Sequence, residues 1–161
     1  MRVGRLAVGD RAPELTLPSA QGPEVSLGDF LGKAPAVVWF SKGMACPFCR
    51  QKLSQLARAA DRIHGVGSQV LYVTTTRVER ARLYARQFRL PFPYLCDPDR
   101  VARSAWGVEM RPHALPWYAA QLVKGLTGAK PASDFGRVNP SPAEIPNDEI
   151  VRELQRWVVA H

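Results

Sequence analysis

The sequence predicts an α/β fold in one domain, and three observations carry that prediction. Short apolar runs rich in β-branched and aromatic residues recur along the chain, at Ala36–Phe40 (AVVWF) and Gln69–Thr74 (QVLYVT). Between and after them lie segments whose apolar residues repeat at helical spacing. Strand–helix–strand–helix alternation of this kind argues for a sheet with parallel crossovers and helices against it. At 161 residues the chain suits one sizeable core and is short for two. No repeat or low-complexity tract divides it, so residues 1–161 are expected to form a single domain.

The elements follow in order. A weak N-terminal pair of strands, Glu14–Leu17 and Val25–Leu27, flanks the turn-like SAQGP. Ala36–Phe40 is wholly apolar, as expected of a strand covered on both faces. From Pro47 to His64 a helix is expected. Cys49, Leu53, Leu56, Ala60 and Ile63 share one face of it, and Arg50, Gln51, Arg58 and Asp61 lie largely elsewhere. Gln69–Thr74 is the next strand, Arg77–Phe88 the next helix, and Pro93–Leu95 a short third strand inside LPFPYLCDPD. WYAAQLVKGL reads as a short helix, and AKPASDFGRVNPSPAEIP as irregular chain. A last helix begins near Asn147, a good N-cap. Asp148 and Glu149 fall in its first turn, and Ile150, Leu154 and Trp157 form its apolar stripe.

Composition narrows the function classes. A hydrophobic fraction of 46% is that of an ordinary globular protein, and no apolar run approaches the roughly 20 residues needed to span a bilayer. The opening MRVGRLAVGDRAPEL has an early charge but no continuous apolar stretch, so no secretory leader is expected and the expected location is cytoplasmic. The net charge of +8 raises nucleic acid as a partner. Its densest region would place Arg82, Arg86 and Arg89 in one helical stripe, which a solvated face explains as well as a phosphate track does. No nucleic-acid or membrane partner is expected.

Two of the three cysteines fall in SKGMACPFCRQKL. In a cytoplasmic chain a bare Cys-x-x-Cys is more often catalytic or metal-binding than structural. Pro47 suits the first helical position, which puts Cys46 at the N-cap, where unpaired amides and the helix dipole stabilise an anion. Helix N-termini and nearby cations lower a thiol pKa from about 8.5, sometimes to roughly 3.5–7.5, and Lys42 and Arg50 are close in sequence. Cys46 is therefore the better attacking group. Cys49, almost a turn later on the apolar stripe, is expected to be more buried and to resolve the pair. The plainer alternative makes Cys49 a small core residue. Structural zinc needs four ligands, and Cys96, His64, His113 and His161 supply no second pair, so no metal or other cofactor is expected. Arg50 stands where a haem-attachment histidine would be. Cys96, before DPDR, could join the redox chemistry but as a lone cysteine reads more readily as structural.

The stretch VGDRAPELTLPSAQGPEVSLGDFLGKAPAVVWFSKGMACPFCRQKLSQL resembles the peroxiredoxin-like branch of the alkyl hydroperoxide reductase/thiol-specific antioxidant family. Gly9, Ala12, Pro13 and Leu15 to Leu17 follow that family's G-x-x-A-P-x-F-x-L opening, and LPFPYLCDPDRVARSAWGV resembles its F-P-x-L-x-D-P and aromatic-Gly-Val elements. The resemblance implies a thioredoxin-like fold, a central mixed sheet flanked by helices. It also implies that Cys46 is the peroxidatic cysteine and Cys49 the second one. Cys46 would be oxidised to a sulfenic acid, Cys49 would condense with it to a disulfide, and a thiol reductant such as a thioredoxin-like protein would reset the pair. Gly43, Met44 and Ala45 would line the substrate site, with Pro112 at the family's cis-proline position and Arg111 as the cation near the thiolate.

The sequence departs from that pattern in three places. Gly43 stands where such proteins have threonine, Trp39 where they have proline, and no hairpin signal follows residue 112, so the C-terminal hairpin region reads as shortened. A second copy of the chain could supply a missing sheet edge as a homodimer. The leading expectation is a thiol-dependent oxidoreductase reducing peroxides through a Cys46/Cys49 dithiol–disulfide cycle. Its alternatives are a thioredoxin-like reductase of protein disulfides and a catalytically impaired interaction module.

Overall fold

The computed structural model describes residues 6, 7, 9–108, 151, 152 and 155. Strands β1 (Thr16–Leu17) and β2 (Val25–Ser26) pair antiparallel as a small ribbon, with Leu17 opposite Val25. Strands β3 (Ala36–Ser41), β4 (Gln69–Thr74) and β5 (Tyr94–Cys96) form a parallel sheet in the order β3-β4-β5. The crossovers are α1 (Pro47–Gly65) and α2 (Val78–Phe88), and a short α3 (Val101–Ala105) follows β5. The sheet is mixed because the segment after β1 runs along β5 in the opposite sense. Ser19 bridges Leu95 antiparallel, the Ala20 N–H donates to the Tyr94 carbonyl at 2.9 Å, and the Cys96 N–H to the Pro18 carbonyl at 2.9 Å. The Gln21 side chain extends this edge, accepting from the Tyr94 N–H at 2.8 Å and donating to the Phe92 carbonyl at 2.7 Å.

The period-two alternation of strand side chains divides the core into two layers. On one face Val70, Tyr72, Tyr94 and Cys96 pack with Leu53, Leu56, Ala60 and Ile63 of α1 and with Ala81 and Ala85 of α2. On the other face Leu71, Val73 and Leu95 pack with Leu15, Leu17 and Leu27 of the N-terminal segment and Ala102 of α3. The four α1 side chains are fully buried, and Leu53, Leu56 and Ile63 are each worth about 1.5–3 kcal/mol relative to exposure. This stripe is the face the periodicity indicates.

The differences from expectation have local causes. Ala36–Phe40 is only partly buried, because β3 pairs with β4 alone among the described residues; β4 is the central, buried strand. A wholly apolar run does not distinguish the two positions. The third strand begins one residue later than expected: Pro93 has no N–H to give, and only its carbonyl is used, by the Tyr72 N–H at 3.0 Å. Helix α2 starts at Val78, with Arg77 as N-cap, and leaves Arg82, Arg86 and Arg89 exposed. Helix α3, not expected, exists because the Asp97 carboxylate accepts from the Ala102 and Arg103 N–H groups at 3.3 and 2.9 Å. Of the helix expected from Asn147, residues 151, 152 and 155 are described; they are helical, and Val151 is buried in the α1 layer. The WYAAQLVKGL helix, the irregular stretch and the hairpin region lie outside the described residues. No helix among the described residues is long and apolar enough to cross a membrane.

Candidate active site

Parallel strands collect their C-terminal ends at one rim of the sheet, and there an α/β fold places its chemistry. Strand β3 ends at Ser41, and α1 begins at Pro47 after a loop of residues 42–46. Cys46 is its N-cap, in extended backbone conformation, with Pro47 at the first helical position. The loop between them is tightly braced. The Cys46 N–H donates to the Gly43 carbonyl at 3.3 Å, and the Met44 N–H to Thr76 Oγ1 at 3.3 Å. Thr75 donates to the Lys42 carbonyl, and Thr76 Oγ1 lies 3.0 Å from Thr74 Oγ1. Gly43 is required here. Its φ is +119°, and a Cβ would stand 3.0 Å from Thr76 Oγ1. The backbone therefore needs glycine where the family resemblance leads one to look for threonine, and a neighbouring strand end brings hydroxyls to that place.

All three cysteines are thiols. Cys46 and Cys49 are both half-buried, so what separates them is their partners rather than their exposure. The Cys49 thiol hydrogen-bonds the Cys46 sulfur, and this contact together with burial pushes Cys49 well above the ordinary thiol range. The Ser41 hydroxyl and the Lys42 backbone N–H act the other way, by hydrogen-bonding the Cys49 sulfur. Ser41 faces α1 because it continues the side of β3 that carries Val37 and Trp39. Its Oγ also accepts from the Gly43 N–H at 3.3 Å.

Beneath the dithiol lies a buried layer of hydroxyls. Tyr72, fully buried, donates to the Cys49 carbonyl at 3.4 Å and stacks on Tyr94 with ring centroids 5.3 Å apart. Burial pushes Tyr72 above the phenol range, against the Ser41 hydrogen bond. Burial likewise raises Tyr94 to about 12, against its neighbours Thr74 and Thr76. On the opposite side of β3 a buried cation appears. Arg103 Nη2 donates to the Ser41 carbonyl at 2.6 Å, and the guanidinium lies 5.7 Å from the centroid of the Phe40 ring.

The structure thus brings Cys46, Cys49, Gly43, Met44 and Ala45 into one loop–helix junction. Ala45 is exposed, while Gly43 and Met44 are buried. Of the loop amides, that of Met44 is turned to Thr76 and that of Cys46 to Gly43. Arg111 and Pro112 lie outside the described residues. Cys96 is fully buried on the same face of the sheet, and burial raises its thiol to about 11. Among the described residues no three His, Cys, Asp or Glu side chains gather as metal ligands would. An open cleft lined by Arg62, Val66 and Val151 lies at the far end of α1 from the cysteines; the chemistry is at the thiol end.

Sequence reasoning missed Ser41, Tyr72, the Thr74–Thr76 hydroxyls and Arg103. Strand parity was the available signal for Ser41, Tyr72 and Thr74, since each continues the α1-facing side of its strand. Nothing in VARSA marks Arg103.

The AhpC/TSA family profile matches residues 8–126. Peroxiredoxin Bcp of Escherichia coli is 32% identical over 103 residues, covering 64% of this chain and 65% of that protein. The chloroplastic peroxiredoxin Q of Sedum lineare is 29% identical over 104 residues, covering 65% of this chain and 55% of that one. The chain thus spans between about half and two thirds of the length of the curated relatives it matches. The solved structure of peroxidoxin BcpB from Mycobacterium tuberculosis superposes with a TM-score of 0.58 at 21% identity, over 66% of this chain and 68% of that one. That likeness carries the fold, which is thioredoxin-like. A paired-cysteine helix start on a sheet of this kind, under a profile match over most of the sequence, makes the chain a member of the AhpC/TSA family.

Proposed function

We propose that the protein is a thiol peroxidase that reduces peroxides through a Cys46/Cys49 dithiol–disulfide cycle. The observation that carries this reading is the placement of Cys46 as the N-cap of a 19-residue helix with Cys49 in its first turn. The Cys49 thiol is held protonated beside the Cys46 sulfur. A proton kept on Cys49 can be shared with Cys46, so negative charge at Cys46 has a donor beside it as well as the helix N-terminus. The Cys46 thiolate attacks one peroxide oxygen. An S–O bond forms, the O–O bond breaks, and the other oxygen leaves as an alcohol or water. Cys49 then attacks the Cys46 sulfenic sulfur. The S–S bond forms, the S–O bond breaks, and the departing hydroxide takes the Cys49 proton as water. A dithiol reductant, of which a thioredoxin-like protein is the natural class, returns the disulfide to two thiols by exchange. A reducing cytoplasm is the compartment that suits this cycle.

The test is rapid mixing of reduced protein with hydrogen peroxide, followed by the fluorescence of Trp39, which packs partly buried against the α1 layer. A fast change that is lost in Cys46→Ser, with a sulfenic acid trapped in Cys49→Ser, is the expected result. Reaction no faster than a free thiol overturns the reading. Rapid reduction of a protein disulfide by the same sample would then point to disulfide exchange.

A further inference from the structure

The Ser41–Lys42 peptide is gripped at both ends. Its carbonyl accepts from Arg103 at 2.6 Å, and its N–H faces the Cys49 sulfur. In a trans peptide the C=O and N–H point in opposite directions, so a partner that fixes one end aims the other. Arg103 comes from α3, on the layer that holds Phe40 and Ala102, while Cys49 belongs to α1 on the opposite layer. The guanidinium is buried, and its Nε has no partner among the described residues. Burying such a cation is expensive unless its charge is used. Asp97 supplies the opposing charge, but the oxygens of that carboxylate accept from the N–H groups that start α3.

We propose that Arg103 is a positioning residue for the resolving step, acting through the Ser41–Lys42 peptide on Cys49. This rests on the dithiol cycle proposed above. A cation on the carbonyl polarises the peptide, which strengthens the N–H at its other end as a donor. The Ser41 hydroxyl, whose oxygen already accepts from the Gly43 N–H, has one proton, which it can turn to the same sulfur or to the Tyr72 oxygen. Cys49 is held protonated in the resting pair and must carry negative charge as it attacks the Cys46 sulfenic sulfur. The two donors meet that charge as it develops, and Arg103 keeps one of them aimed. The first step, attack of Cys46 on peroxide, gains little from this device.

The experiment compares the parent with Arg103→Met, Arg103→Lys and Ser41→Ala in the full chain. Cys46 oxidation is read by sulfenic-acid trapping in a Cys49→Ser background, and disulfide formation by quenched thiol counting in chains with both cysteines. Arg103→Met is expected to slow disulfide formation at least about tenfold more than it slows Cys46 oxidation. It should also lengthen the life of the sulfenic acid and increase its over-oxidation to sulfinic acid. Arg103→Lys is expected to restore most of the rate, and Ser41→Ala to show the same split. Equal slowing of both steps, or of neither, in a chain with parental circular dichroism overturns the proposal. A second readout is independent of peroxide: the alkylation pH profile of Cys49 in Cys46→Ser. Arg103→Met is expected to move its midpoint upward by about one unit, and an unmoved midpoint overturns the proposal. A parent chain that forms no disulfide with peroxide, yet shows that shift, refutes the cycle and leaves the Arg103–Cys49 coupling standing.

Discussion

Gly43→Ala is the smallest change that tests how the cysteine loop is held. The residue has a φ of +119°, outside the left-handed well that an L-residue can occupy. Its new Cβ would meet Thr76 Oγ1 at 3.0 Å, Thr75 Oγ1 at 3.4 Å and Thr74 Oγ1 at 3.6 Å. Holding alanine in such a conformation costs about 1–3 kcal/mol. Moving Thr76 aside to relieve the contact breaks its bond to the Met44 N–H, about 1 kcal/mol more. The sum, about 2–4 kcal/mol, corresponds to a Tm lower by roughly 4–16 °C in a chain of this size. Thermal unfolding of Gly43→Ala, Thr76→Ala and the double variant separates the parts. Thr76→Ala removes the nearest contact, so the double variant should be less destabilised than the sum of the singles by about 1 kcal/mol. Gly43→Thr carries the same strain, so restoring the family's threonine is expected to lower peroxide reactivity. A Gly43→Ala chain within about 0.5 kcal/mol of the parent, the scatter of a neutral surface change, would refute the reasoning.

Asp97→Ala removes the acceptor for the two N–H groups that start α3 and the charge opposite Arg103. It is expected to cost about 1–3 kcal/mol in urea unfolding, the value for leaving buried N–H groups unpaired, and an unchanged unfolding midpoint would refute it. Alkali should destabilise the fold as well. Cys49, Cys96, Tyr72 and Tyr94 are all raised, so each keeps its proton in the folded chain after the unfolded chain has lost its own. Their contribution is therefore complete below the unfolded values and is lost as pH rises through the folded ones. For Cys96, raised from 9.0 to about 11, the loss is at most about 3 kcal/mol. A Tm that is level to about pH 9 and falls beyond it is expected; one still level at pH 11 would contradict it.

The sheet and α1 were legible because their signals are local. A β-branched run is visible as such in Gln69–Thr74, and a 3.6-residue apolar stripe in Leu53, Leu56, Ala60 and Ile63. The cysteine pair was legible too, since one residue spacing and one proline fix where the helix starts. Its surroundings were not. Thr74 and Thr76 matter through Gly43 and Met44, more than thirty positions earlier, and that meeting follows only once β4 lies beside β3 in the observed register. Arg103 reaches Ser41 over a separation of 62 residues. No pattern within either segment announces such a pairing. That β3 has β4 as its one strand neighbour among the described residues depends on the order of the strands, which the sequence order does not state.

The Gln21 clamp has a consequence for how two copies of this chain could meet. A sheet grows by offering unpaired N–H and C=O groups to another chain. On the β5 side those groups are taken by Pro18, Ala20 and the amide of Gln21. Sheet-to-sheet growth through β5 would require peeling away the chain's own N-terminal segment, which is anchored in the second core layer by Leu15 and Leu17. Among the described residues that leaves the outer side of β3 as the boundary at which assembly by strand addition could begin. The molecule is in this sense handed: one side of the sheet carries its own stopper, and the other is the side from which Ser41 and the cysteine loop depart.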